Sequence, residues 1–198
     1  MLNLELSVKQ SNDLTYYVCI DKVDQVEVSC QNQELVIENH SLKGLNTHVS
    51  IALYLPKYHY LDQLSIETVN GQIEINDFEN AQSTLEIDTV NGQVKLNNSL
   101  FKEMNISSIN SSISLDSIQA CIANIDIVAA NINGIQVNTD ELNIDAISGG
   151  VDLTMVYDQQ SYSLSIDAPF AQRSEYHNGG KPINIDTMSG YVNVKFAA

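Results

Sequence analysis

The chain has 198 residues and a formal net charge of −16, with 9 Lys and Arg against 25 Asp and Glu. This length suits one domain of ordinary size. Nucleic acid and anionic membrane surfaces are excluded as expected partners, because binding to phosphate groups needs clustered cations. The 3 cysteines are an odd number, which argues against a secreted scaffold held together by disulfides.

Residues 1–63 have strand character but no repeat, and we predict that they form an irregular N-terminal β cap. The first predicted strand alternates through Leu2, Leu4, Leu6 and Val8. The other predicted strands of this region cover 14–20, 26–29, 35–38 and 49–55. The N-terminus lacks the basic start and long apolar run of a signal peptide, so we expect a cytoplasmic protein without membrane insertion. A leader removed from the sequence would instead place it at the cell surface or envelope.

An eight-residue unit recurs from residue 64 onward. Leu64-Ser-Ile-Glu-Thr-Val-Asn-Gly71 returns as Leu85-Glu-Ile-Asp-Thr-Val-Asn-Gly92, and further copies begin at 104, 125, 142, 164 and 183. The steps between starts are 21, 19, 21, 17, 22 and 19 residues, or about twenty on average, a period typical of solenoids.

Each unit reads as a β-strand, because its first and third residues are apolar and its second is polar. After an Asn-Gly or Ser-Gly pair the alternation resumes, as in Ile73/Ile75 and Ile135/Val137. Asn and Gly tolerate positive φ, so this pair is predicted to turn a corner between two strands. A two-residue hairpin is the alternative for any single copy. Stacked coils explain better why every position keeps its character.

Stacking would align the third residues of the units into one aliphatic spine. Its predicted members are Ile66, Ile87, Ile106, Ile127, Ile144, Ile166 and Ile185. The predicted fold is therefore all-β, a single parallel β-helix or solenoid with coils of about twenty residues, regular over 64–198 and continuous with the N-terminal cap. Right-handed winding is expected from the handedness of crossovers between parallel strands.

The ordered motifs resemble those of the bacterial "putative adhesin" β-strand-repeat domain family, over nearly the whole chain. The resemblance rests on the early alternating segment, on Leu55-Pro56, and on the repeated Leu-x-Ile-x-Thr-x-x-Gly units. It rests also on Ser148-Gly-Gly-Val-Asp-Leu153, the Gly-Gly at 179–180, and the closing unit 183–194. The family implies a parallel β-helix-like fold and an adhesin-like role, and it supplies no catalytic residues.

The residue after each spine position forms a mostly acidic row: Glu67, Asp88, Ser107, Val128, Asp145, Asp167 and Asp186. We predict that Asp145, Asp167 and Asp186 lie on three successive coils about 5 Å apart. The favoured interpretation is a solvated outer row. The alternatives are a weak cation site such as Ca²⁺, which needs 6–8 oxygen ligands, and a catalytic pair of carboxylates.

The coil after Ile166 is interrupted by an irregular stretch that ends at Pro182. Long irregular loops on regular scaffolds often carry binding function. If this loop holds a ligand, the predicted contacts are Arg173, Tyr176 and His177. A neutral insertion is the favoured alternative.

No HExxH, CxxC, nucleophile elbow or phosphate loop is present, so we predict no enzyme, no catalytic residues, no metal and no cofactor. Because no cap follows the last strand, coil 183–198 is predicted to pair with a second copy or another protein chain. The expected function is a non-enzymatic, adhesin-like binding or structural module, with protein or glycan as ligand. A scaffold that self-assembles through its coil ends, and a polysaccharide-active enzyme, are the alternatives.

Overall fold

A computed structural model describes residues 2–21, 26–31, 34–39, 47–57, 61–168, 174–177 and 179–197. These residues form an all-β fold whose one helical element is a short 3₁₀ turn at Gln159–Ser161. The strands are β1 (Leu2–Ser11), β2 (Tyr17–Ile20), β3 (Val26–Gln31), β4 (Glu34–Asn39), β5 (Thr47–Pro56), β6 (Gln63–Asn76), β7 (Glu79–Met155), β8 (Tyr162–Asp167), β9 (Ser174–His177) and β10 (Lys181–Lys195).

The repeat units stack in parallel, as the sequence predicts. In the pairing of β6 with β7, Leu64 lies opposite Leu85 and Gly71 opposite Gly92. The 77 residues of β7 continue as extended chain through the following coils. First-position and third-position side chains of the units point inward, and Leu85, Ile87 and Ile106 are almost fully buried. The result is a β-solenoid-like body with an aliphatic interior.

The predicted register of the fourth coil is wrong by two residues. Asn124 Nδ2 donates to Asn105 Oδ1 at 2.8 Å, and Asn143 Nδ2 donates to Asn124 Oδ1 at 2.9 Å. Asn124 is therefore the second residue of its unit, which begins at Ala123 rather than at Ile125. Ile125 takes the spine position predicted for Ile127, although both are buried. A shift of two preserves the alternation of inward and outward side chains, so periodicity alone does not distinguish the two registers.

The corner of that coil moves with the register. A Cβ atom at Gly149 would collide with the carbonyl oxygen of Ala130, so Ala130 stands at the corner and Asn133-Gly134 does not. Ile132 is fully buried after this corner, whereas Ile135, predicted to face inward, is 57% exposed. Asn-Gly is thus a poor guide to the corner in this one coil.

The coils do not stack in sequence order at the C-terminal end. Strand β10 pairs in parallel with β7 on one side, where Ile183 lies opposite Leu142, and with β8 on the other, where Ile183 lies opposite Leu164. The prediction that the 164 coil separates the 142 and 183 coils is therefore wrong. Strand β9 then pairs antiparallel with β8. The coils that begin at residues 142, 164 and 183 share the same alternation of apolar and polar residues. This alternation therefore does not show which two of them are neighbours.

The N-terminal strands join the same sheet, which is mixed rather than wholly parallel. Strand β1 lies between β5 and β6 and is parallel to both, with Leu6 opposite Ile51 and Ile73. Strand β2 pairs antiparallel with β5. Strands β3 and β4 form a separate antiparallel pair, from which Val26, Leu35 and Ile37 pack against the core.

A polar contact fixes the second half of β10 to β7. Asn193 Nδ2 donates to Asp152 Oδ1 at 2.8 Å, and the Tyr191 ring lies against Gly150. Hydrogen bonds from Asn193 and Tyr191 hold the pKa of Asp152 below its ordinary value. The hydrogen bond to Asp152 in turn raises the pKa of Tyr191. The contact ties Asp152 to two residues of the inserted strand.

Substitution by alanine is expected to change the free energy of unfolding differently at two buried serines, Ser99 and Ser108. Within the described part of the chain the buried Ser108 hydroxyl has no hydrogen-bond partner, whereas Ser99 Oγ donates to Asn97 O at 2.8 Å and accepts from Phe78 N at 3.3 Å. We expect Ser99→Ala to lower the free energy of unfolding by about 1–3 kcal/mol, because it orphans a buried amide. Ser108→Ala should leave it unchanged or raise it by up to about 1 kcal/mol.

Urea unfolding followed by circular dichroism measures both variants. Ala146 already occupies the position equivalent to Ser108 in the 142 coil, so an alanine methyl group fits this row. A Ser108→Ala variant as unstable as Ser99→Ala would show that the Ser108 hydroxyl is paired in solution.

Candidate recognition face

The outward residues of the units form two parallel columns, which we call the ladder face. Positions one, three and five of each unit point inward, so positions four and six point outward. The fourth residues are the acidic ladder: Glu67, Asp88, Asp126, Asp145 and Asp186, with Ser107 on the third coil. The sixth residues are the apolar ladder: Val69, Val90, Ile109, Val128, Ile147 and Met188.

The apolar ladder is unusually open to solvent. Val69 is 62% exposed, Ile147 is 49% exposed and Met188 is 66% exposed. Ile109 and Val128 are exposed as well, and Val90 is half-buried. Single exposed apolar residues are normal, whereas a contiguous exposed row marks an interaction site. The ladder supplies such a row across six coils.

A shallow groove of about 680 Å³ runs between the two ladders. Its floor is formed by the fifth residues of five units: Thr68, Thr89, Ser108, Ile127 and Ala146. Four of these side chains are small. Ile127 fills the fourth coil because the unit there begins at Ala123. The groove therefore follows the stacking direction and crosses the strands.

The charge of the groove has one sign. Five carboxylates line it, and none of its lining residues is Lys, Arg or His. These carboxylates lie on neighbouring coils about 4.8 Å apart, except where Ser107 separates Asp88 from Asp126. Together they build a negative potential along the groove that attracts cations and basic segments. The face is thus apolar along one side and anionic along the other.

A third column stiffens the acidic side of this face. Asn105, Asn124 and Asn143 are linked side chain to side chain, and Asn184 Nδ2 donates to Asn143 Oδ1 at 2.9 Å. These second-position residues share a strand with the acidic ladder and stand two residues before it. Their hydrogen bonds fix the coils against one another, so the ladders are held in place before any ligand arrives.

The structure brings the predicted acidic trio together, in a different order. Asp186 lies opposite both Asp145 and Asp167, so Asp186 is in the middle of the three. The groove includes Asp145 and Asp186 but not Asp167. Among the described residues no three His, Cys, Asp or Glu side chains are arranged to hold a metal ion.

The predicted loop site lies largely outside the described residues. Arg173 falls in a segment that the structure does not describe. Tyr176 and His177 belong to β9, opposite Leu164 and Ser163, and only the backbone of this strand is described. The structure therefore places these two residues at the edge of the sheet and says nothing of their side chains.

One serine, histidine and carboxylate grouping occurs near the N-terminal end. Ser50 Oγ lies 3.2 Å from His48 Nε2, and Glu5 Oε2 lies 3.3 Å from the same nitrogen. In a catalytic triad the nucleophile and the acid contact different ring nitrogens. Here both approach Nε2 on an exposed surface, so the arrangement does not provide the orientation that a nucleophilic serine needs.

Sequence reasoning missed the apolar ladder. The signal was present, because the sixth residue of nearly every unit is Val, Ile or Met although alternation directs it outward. The shifted register of the fourth coil hid the regularity, since it placed Val128 in the acidic row and left Asp126 out of it. With Ala123 as the start, both columns continue through that coil.

Comparisons with protein families and with solved structures each found a match. The model of the Toastrack DUF4097 family matches residues 2–169. A solved structure described as a "putative cell adhesion protein" from Clostridium sporogenes is similar at 13% identity and a TM-score of 0.36, over 99% of this chain and 92% of that one. No curated protein matches the chain. No helix in the described ranges is long and apolar enough to span a membrane.

Proposed function

This chain belongs to the Toastrack DUF4097 family, and we propose that it is a non-enzymatic, adhesin-like binding module whose recognition surface is the ladder face. One observation carries the proposal: a row of six apolar side chains, five of them exposed, runs over six coils beside a row that contains five carboxylates. Exposing such a row to water is unfavourable, and covering it with a partner recovers that free energy.

The composition of the groove favours binding over catalysis. Its lining contains carboxylates and hydroxyls but no His, Cys, Lys, Arg or Tyr. General acid–base and nucleophilic catalysis most often use those absent residue types, or carboxylates tuned by burial. The acidic side chains here are exposed, which supports a role in electrostatic attraction.

The same lining favours a protein partner over a glycan. It contains no aromatic side chain, and its apolar part is aliphatic. Aliphatic side chains next to charges resemble a protein interface, with an apolar core and a polar rim. We therefore propose a protein ligand and treat glycan binding as an outcome of the test.

Selection from a random peptide library displayed on phage tests this function. We expect the wild-type chain to enrich peptides that bind the Ile109→Ser/Ile147→Ser variant at least about tenfold more weakly, because the two residues are exposed members of the apolar ladder and neither stands at its end. Ile135→Ser is the matched control, since Ile135 is also exposed but lies outside the groove lining.

Two results would overturn the proposal. One is enrichment of peptides that bind the double variant as tightly as the wild type. The other is a failure to enrich any peptide, together with glycan-array binding that the double variant retains. Circular dichroism of each variant establishes that its fold is intact before binding is compared.

Self-assembly through a coil end is a second candidate function, supported by a strand edge. Strand β8 covers β10 only over Lys181–Asp186, so no strand of the described chain pairs with the outer edge of 189–195. We propose this edge, rather than the whole of 183–198, as the surface for a second copy. Light scattering over a wide concentration range should then show a dimer, and a mass that stays monomeric would contradict this candidate.

We also propose a reducing, cytoplasmic location and right-handed winding of the coils. All three cysteines are free and exposed, and free exposed thiols persist where glutathione keeps them reduced. Thiol labelling of intact and of lysed cells tests the location, because surface cysteines would react without lysis.

The right-handed winding of the coils is proposed on a separate ground, because right-handed crossovers are the rule between parallel strands.

A further inference from the structure

We infer that the segment that occupies the ladder face is a basic amphipathic α-helix of a partner protein, an inference that rests on the proposed function. The groove offers a ligand two parallel rows to contact, one apolar and one anionic. A complementary segment must therefore present an apolar row and a cationic row side by side.

The spacing of the ladders matches a helix better than a strand. Each coil contributes one rung to the ladder face, namely its fourth and sixth residues. Neighbouring rungs are one strand separation apart, about 4.8 Å. Successive turns of a helix place side chains on one face every 5.4 Å or so. An extended segment along the groove repeats every second residue, about 6.6–6.8 Å. Over five steps the helix drifts about 3 Å from the rungs, whereas the strand drifts about 9–10 Å.

The length of the face sets the length of the helix. Six rungs enclose five steps, or about 24 Å at the strand separation. At a rise of about 1.5 Å per residue, a helix of roughly 16 residues covers this distance. A helix of this length is only slightly above the limit of about 12–15 residues below which isolated helices are marginal in water, so we expect its helix content to rise when it docks.

The negative charge of the groove favours a helix that carries positive charge. Five carboxylates and no basic group line the groove, so a Lys or Arg row beside the apolar stripe would face a carboxylate on every coil except the third, where Ser107 stands. An acidic helix with the same apolar stripe would face repulsion. Helices that lay an apolar face into a groove are an established mode of peptide recognition.

Three synthetic peptides of equal length test the inference on the intact chain. The first carries Leu and Lys at helical spacing, the second the same residues in strict alternation, and the third Leu and Glu at helical spacing. Fluorescence anisotropy gives the affinities and circular dichroism the helix content. We expect the first peptide to bind at least about tenfold more tightly than the other two, with a gain in helix content.

The face variants separate docking from general attraction to an acidic protein. Ile109→Ser/Ile147→Ser keeps every charge and should weaken the first peptide roughly tenfold, whereas Ile135→Ser should leave its affinity unchanged. Equal or tighter binding of the alternating peptide, still sensitive to the double variant, would overturn the helix but retain the binding face. Affinity that the double variant leaves unchanged would overturn both the helix and the face.

Discussion

Replacement of Phe101 by alanine is expected to lower the free energy of unfolding by about 3–5 kcal/mol. Phe101 is fully buried, and its ring stacks on Phe78 with centroids 5.1 Å apart and planes 17° apart. The two rings belong to neighbouring coils, since Leu100 N donates to Phe78 O. Truncation leaves a cavity inside the stack and removes an aromatic pair worth about 0.5–1.5 kcal/mol.

Ile109→Ala is the control for this truncation, because it deletes an apolar side chain that is 46% exposed. Surface substitutions of this kind usually change stability by about 0.5 kcal/mol or less. Urea denaturation of both variants gives the comparison. Equal losses in the two variants would show that the interior is not packed around the Phe78–Phe101 pair.

Gly149→Ala is the second substitution for which we expect a large loss in the free energy of unfolding. Gly149 has a φ of +131°, and a Cβ atom there would collide with the carbonyl oxygen of Ala130. The backbone conformation costs a residue with a side chain roughly 1–3 kcal/mol. The collision with a neighbouring coil adds overpacking of roughly 1–3 kcal/mol, because the carbonyl belongs to a strand and has little freedom to move.

Gly180→Ala provides the matched control. A Cβ atom at Gly180 would meet nothing within 4 Å, so this variant should unfold at nearly the wild-type urea concentration. If Gly149→Ala were as stable as Gly180→Ala, the close approach of the coils at this corner would be disproved.

The repeat could be predicted from the sequence because every unit carries the same inward residues. Leu64 and Leu85 pair as expected, and the Ile spine is correct except in the fourth coil. In that coil Ile125-Asp-Ile127 fits the alternating pattern whether the unit begins at Ala123 or at Ile125. The side-chain amide bonds from Asn105 to Asn143 and the close approach of Gly149 to Ala130 identify the right one. Such bonds depend on neighbours across coils, which a single unit does not reveal.

The order of strands at the two ends could not be predicted for a related reason. Alternation shows which face of a strand is buried and is silent on which strand lies beside it. Leu164 and Leu142 are equally suitable neighbours for Ile183, and the structure uses both. The ladder face depends on this insertion, because Asp186 and Met188 supply its sixth rung.

Disulfide trapping tests the six-rung face most directly. In a Cys19→Ser/Cys30→Ser/Cys121→Ser background, Asp145→Cys/Asp186→Cys places two thiols on paired residues, about 4.8 Å apart at the backbone and within the range of a disulfide. Asp145→Cys/Asp167→Cys places them two strands apart, beyond that range. Mild oxidation followed by free-thiol titration should therefore consume the thiols of the first pair and spare those of the second. Consumption of the second pair alone would show that the coils stack in sequence order and that the ladder face lacks its last rung.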